Sequence, residues 1–147
     1  NTALGLNKEK NRLGHPEEGI IEEDVALNTA GIVLTQLGRT EEAINHFSSG
    51  LSINPSSFDL LVNAGSAYTE SKKFDDAMNF FQRALRLRPD SPELIANIGW
   101  LAEKRGECDD ARKYYLDATE MMQPRPHPQI LKNLNNLENN CVTKSIL

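Results

Sequence analysis

Residues 64–89 read AGSAYTESKKFDDAMNFFQRALRLRP, and the chain carries this pattern three times. The preceding copy, residues 30–55, reads AGIVLTQLGRTEEAINHFSSGLSINP. Ala64, Gly65, Tyr68, Ala77, Phe81, Ala84 and Pro89 correspond to Ala30, Gly31, Leu34, Ala43, Phe47, Gly50 and Pro55. The offset is 34 throughout (89 − 55, 81 − 47, 77 − 43). A third copy follows at the same offset with Ile98, Gly99, Ala102, Ala111, Tyr115 and Ala118; its proline arrives one place late, at Pro124. A fixed period of this length means one supersecondary unit, repeated and stacked.

Each unit reads as two helices. In the second copy Leu61, Ala64, Gly65 and Tyr68 share one helical stripe at i, i+3, i+4, i+7. Lys72 and Lys73 mark a polar turn, and Phe74, Ala77, Phe81, Ala84 and Leu85 form the next stripe. Gly31, Gly65 and Gly99 let the partner helix approach closely, with Ala43, Ala77 and Ala111 expected opposite them. Ser91 reads as an N-cap, Pro92 as a first helical residue, and Gly38 and Gly106 as helix stops. Thr40 is expected to cap the helix that starts at Glu41. The pattern predicts helices over 24–37, 41–53, 58–71, 75–87, 92–105 and 109–122. One further amphipathic stretch, with Ile130, Leu131, Leu134 and Leu137 as its apolar stripe, predicts a cap helix over 128–140. Pro16-Glu17-Glu18 could start a longer first helix.

From about Asp24 to Pro124 these residues resemble the tetratricopeptide repeat family. The departures are Leu27, Leu61 and Ile95 at an aromatic position, Gly50 in place of alanine, and the late Pro124. The resemblance implies an all-α fold: antiparallel helix-turn-helix repeats stacked as a right-handed superhelical solenoid, three motifs plus a C-terminal capping helix. The expected organisation is an N-terminal arm or remnant of a preceding element over 1–19 and a repeat domain over 20–140. Within it the repeats are 24–57, 58–91 and 92–125, and a tail occupies 141–147.

The bulk properties limit the function. The chain has 147 residues and a net charge of −5, which argues against nucleic acid, since phosphate binding needs a basic face. No apolar run approaches the roughly 18 residues of a membrane span, and no signal-peptide pattern opens the chain. A disulfide between Cys108 and Cys141 is open to the chain, but nothing in the sequence demands it. Two reduced thiols in a cytoplasmic setting are the expectation. The chain does not begin with Met and is expected to be a piece of a longer one.

No residue set announces chemistry. Glu41-Glu42, Asp75-Asp76 and Asp109-Asp110 resemble paired carboxylates, but each falls in the first turn of a second helix, where the macrodipole favours negative charge. His15, His46 and His127 are scattered, without Cys or His at ligand spacing. The expectation is therefore a non-enzymatic protein with no cofactor and no metal. The terminal Ser145-Ile146-Leu147 resembles a weak PDZ ligand; the plainer reading is a frayed tail.

The resemblance implies that first helices line a concave groove. At 100° per residue the stripe opposite the core is Val25, Thr29, Ile32 and Gln36 in copy one and Asp59, Asn63, Ser66 and Glu70 in copy two. In copy three it is Glu93, Asn97, Trp100 and Lys104. Asn63 and Asn97 share one repeat position, and an amide offers both donor and acceptor, so the pair could hold a peptide backbone. The repeat domain of O-linked N-acetylglucosamine transferase is similar here. The alternative is that asparagine is simply common at this place. Trp100, the single tryptophan, is either an anchor for a partner or a packing residue beneath the cap. Family members that grip chaperone carboxylate tails use a lysine, arginine and asparagine clamp. Only Asn63 matches it; Asn28, Ile32 and Glu93 stand where lysine, asparagine and lysine would be needed.

The expected partner is thus a protein or peptide, bound as an extended segment or a helix, with no nucleic acid and no membrane insertion. Two other roles stay open on the sequence: a regulatory repeat segment of a larger enzyme, and a scaffold that self-associates through its repeat ends.

Overall fold

The computed structural model describes the backbone of residues 18–146 and the side chains of 23–141. Seven helices and no strand lie among the described residues: α1 (Glu18–Gln36), α2 (Thr40–Ile53), α3 (Phe58–Glu70), α4 (Phe74–Leu87), α5 (Pro92–Lys104), α6 (Cys108–Met121) and α7 (Pro128–Ile146). They pack as three hairpins, α1 on α2, α3 on α4 and α5 on α6, with α7 closing the stack against α6. First helices also touch first helices, α1 to α3 and α3 to α5, and α5 touches α7. Second helices do not meet one another among the described residues. The first helices therefore form the inner, closer-set row of an all-α repeat solenoid.

Local chemistry accounts for the helix ends. Ser57 and Ser91 accept bonds from the backbone N–H groups of Leu60 and Leu94, at 3.4 and 3.3 Å, and so cap α3 and α5. Gly38 and Gly106 take left-handed conformations, φ +74° and +81°, just past α1 and α5. Lys72 holds the equivalent place in the middle hairpin at φ 60°, a conformation costly for a residue with a Cβ. Thr40 does not act as a cap. It is the first residue of α2, and its hydroxyl donates to Glu70 of α3 at 3.3 Å.

The core is built from Ala43, Phe47, Leu60, Leu61, Ala64, Ala77, Phe81, Ala84, Leu94 and Leu101. A second cluster joins Ala111, Tyr115 and Ala118 to Ile130 and Leu137 of α7. The atoms nearest each of the first-helix glycines are those of an aromatic ring on the partner helix. A Cβ on Gly31, Gly65 or Gly99 would stand 2.3, 2.6 or 3.0 Å from the rings of Phe47, Phe81 and Tyr115. Gly50 has its own cause: a Cβ there would meet the Leu60 methyl groups at 2.9 Å.

Two boundaries differ from the sequence reading. Of the arm assigned to 1–19, only Glu18 and Gly19 fall among the described residues, and both are helical. α7 continues through the expected tail to Ile146. That extension brings Cys141 beside Cys108, with the Cα atoms 6.2 Å apart, and the two are disulfide-bonded. The expectation of reduced thiols is overturned, and with it the redox argument for a cytosol-like compartment. Tyr115 also ties the cap down. Its hydroxyl donates to Glu103 at 2.7 Å and is bonded by Asn133 of α7. Burial first, then Glu103, pushes that hydroxyl far above the ordinary phenol range.

Candidate functional site

The twelve stripe residues all lie on the inner row, and none belongs to the buried core. Val25, Thr29, Ile32 and Gln36 of α1 are exposed, as are Asp59 and Glu70 of α3 and Glu93 and Lys104 of α5. Asn63, Ser66, Asn97 and Trp100 are half-buried. Their exposure follows from helical phase: the opposite stripe of each first helix is taken by its hairpin partner.

The two asparagines are not equivalent. The Asn63 amide N–H donates to Asn28 Oδ1 of α1 at 2.8 Å, so one of its donors is already used. Asn97 makes no hydrogen bond among the described residues. Thr29, at the same repeat position in α1, donates its hydroxyl to the Val25 carbonyl of its own helix at 2.9 Å. Only the third rung therefore presents a wholly uncommitted polar group.

Glu93, Asn97 and Trp100 come together in a cleft of about 330 Å3 at the capped end of the inner row. Its far wall is built from residues outside the first-helix stripes. Ala96, Met122, His127, Gln129, Ile130 and Asn133 complete the lining, five of them from the α6–α7 connection and α7. The sequence signalled the cap's amphipathic stripe but not which edge of α7 faces the inner row. His127 precedes α7 and accepts the Gln129 backbone N–H on Nδ1 at 3.1 Å, which fixes the start of that wall. Trp100 packs on the cluster beneath the cap and also lines the cleft. The Lys104 ammonium lies 5.7 Å from its ring centroid.

Of the charged stripe residues three are acidic (Asp59, Glu70, Glu93) and one is basic (Lys104). Glu70 accepts from Thr40, and Glu93 accepts from the Ser91 hydroxyl at 3.3 Å. The paired carboxylates of the second helices sit in first turns on the outside of the stack. Several join ion pairs: Lys73 with Glu41 at 3.5 Å and Arg105 with Asp75 at 4.0 Å link neighbouring hairpins. Among the described residues no group of three His, Cys, Asp or Glu side chains gathers to hold a metal ion. His15 lies outside the described residues. No helix among the described residues is long and apolar enough to cross a membrane.

Three helix–turn–helix units of one period, closed by a further helix, define an all-α repeat solenoid. Sequence profiles of the tetratricopeptide repeat match residues 28–92 and 68–133. The chain belongs to the tetratricopeptide repeat family. No curated protein matches it in sequence. Among solved structures, the first TPR domain of human RPAP3 is similar at a TM-score of 0.72 and 21% identity, over 84% of this chain and 95% of that one. The Sgt2 TPR domain from Aspergillus fumigatus is similar at 0.72 and 18% identity, over 85% and 83%. The first TPR of Spaghetti (RPAP3), solved bound to the HSP90 peptide SRMEEVD, gives 0.69 and 21%, over 82% and 94%. At these identities the likeness is one of fold.

Proposed function

We propose that the chain is a non-catalytic interaction module that holds a segment of a partner protein along the inner row of first helices. One observation carries the reading. The outward stripe of that row keeps groups that the described residues do not use: Val25 and Ile32 are 55% and 38% exposed, the Asn97 amide has no hydrogen bond among the described residues, and Trp100 borders an open cleft. Large apolar side chains and free amides held on rigid helices are the groups that bind a peptide with little loss of entropy. The bound SRMEEVD peptide of the RPAP3 domain supports the use of this fold for such a ligand.

The residues at the clamp positions that the family resemblance implies favour a different ligand here. An acidic, carboxylate-ended peptide needs cations on the groove, and this groove offers Asn28, Ile32 and Glu93 at the clamp positions. Glu93 would repel it. The test is titration of labelled peptides selected from a randomised display library, against wild type and against variants of the inner and outer rows. Ile32→Ala and Trp100→Ala should weaken binding, while the outer-face Leu116→Ala should not. Equal losses from both faces, or losses from the outer face alone, would refute the assignment of the groove.

A further inference from the structure

We propose that the cleft at the capped end of the inner row is a receptor for a cationic side chain, specifically an arginine of the bound segment. The proposal rests on the peptide-binding reading above and names the chemistry of one subsite.

The lining selects by charge first. Among the described residues Glu93 is the one carboxylate of the lining, it is exposed, and no lysine or arginine lines the cleft. Lys104, the one stripe cation, is not part of the lining, although its ammonium lies 5.7 Å from the Trp100 ring centroid, so an incoming guanidinium is confined to the part of the ring that borders the cleft. An acidic side chain would meet the Glu93 carboxylate directly, whereas a cation gains it. The second selection is by shape. The Trp100 indole offers an aromatic surface, and Met122 and Ile130 offer apolar walls for a methylene stem. An arginine stacks its planar guanidinium on such a ring and still presents its edge donors to acceptors around it. Those acceptors are present: the Glu93 carboxylate and the Oδ1 of Asn97, which makes no hydrogen bond among the described residues. A purely aliphatic side chain would fill the same walls but bury Asn97 without a partner, which costs free energy. The wider field agrees, with three acids to one base along the stripe and a net charge of −5 on the chain.

Trp100 is the only tryptophan, so its indole N–H gives a single, assigned signal in a 15N-labelled sample of the full chain. The probes are N-acetyl-arginine methylamide and the matching leucine and aspartate derivatives. The arginine probe should shift the indole resonance with a saturating curve and bind about two- to five-fold more tightly than the leucine probe, the scale of one exposed charge pair. The aspartate probe should give no saturable shift. Glu93→Gln, an exposed change that leaves the core untouched, should bring the arginine and leucine probes to equal affinity. A leucine probe that matches arginine on the wild type, a preference that survives Glu93→Gln, or no shift with any probe overturns the proposal. The display selection separates this from the broader reading. Groove-binding peptides that lack a basic residue would overturn the arginine subsite and leave the module intact. Failure to recover any peptide, with the arginine probe still titrating Trp100, would sustain the subsite and remove the extended-peptide groove.

Discussion

At the scale of single residues, the contact between a first-helix glycine and a second-helix ring decides stability. Phe81 is fully buried, and its ring occupies the place where a Cβ on Gly65 would sit. Phe81→Ala would remove that ring and leave a cavity at the centre of the stack. The expected cost is roughly 3–5 kcal/mol, seen as a large drop in melting temperature. An unchanged melt would mean that α4 is rotated from the phase described. Lys72 predicts the opposite sign. It holds the left-handed conformation that glycine holds at 38 and 106, so Lys72→Gly should relieve strain of about 1–2 kcal/mol. Glycine's greater freedom in the unfolded chain takes back about 0.4–1 kcal/mol. A rise of about 1–3 °C in thermal unfolding is expected, and a fall would show that Lys72 makes a contact worth more than its strain.

At the scale of elements, six helices were legible because small residues, rings and caps repeat at a constant interval. The second-helix rings at Phe47, Phe81 and Tyr115 could be assigned to the core from one copy and checked in the others. The capping helix has no second copy to check against. The sequence predicts its end at 140, yet α7 continues past that point, where Leu137 and Cys141 keep the apolar stripe in phase. That extra turn creates the Cys108–Cys141 disulfide, which the sequence left open. The bridge closes a loop across 33 residues, for which chain entropy allows about 3–4 kcal/mol. The oxidised protein should give no reaction with a thiol reagent under native conditions. Dithiothreitol should release two thiols and lower the melting temperature by several degrees. Free thiols in the air-oxidised protein, or a melt indifferent to the reductant, would contradict the bridge.

At the scale of the whole molecule, the inner row acts as one surface only if its rungs are equivalent, and they are not. Helical phase placed all twelve stripe residues outside the core, but phase cannot show what a polar side chain is already bonded to. Asn63 gives one N–H to Asn28, while Asn97 has no bond within the described residues and faces the cleft. For an extended peptide held by amide pairing, Asn97→Ala should therefore cost more affinity than Asn63→Ala. Each hydrogen bond is worth a net ~0.5–1.5 kcal/mol, so the double variant should lose at most about one to two powers of ten. The loss should be similar for every sequence in a peptide panel, because a rung that touches backbone does not read side chains. Asn63→Ala should in addition lower stability slightly, since Asn28 loses its donor, whereas Asn97→Ala should leave the melt unchanged. Trp100→Ala should discriminate among ligands by ~2 kcal/mol or more, hurting those whose side chain enters the cleft. None of these changes should alter the helical circular-dichroism signal, because Asn63 and Asn97 lie off the core stripe and Trp100 sits half-buried at the edge of the cap cluster. Titration of wild type and the variants against the panel checks all of this at once. If the asparagine pair leaves every affinity intact while Val25 or Ile32 substitutions abolish binding, the rungs are idle. The ligand would then be a helix lying with its apolar face against α1.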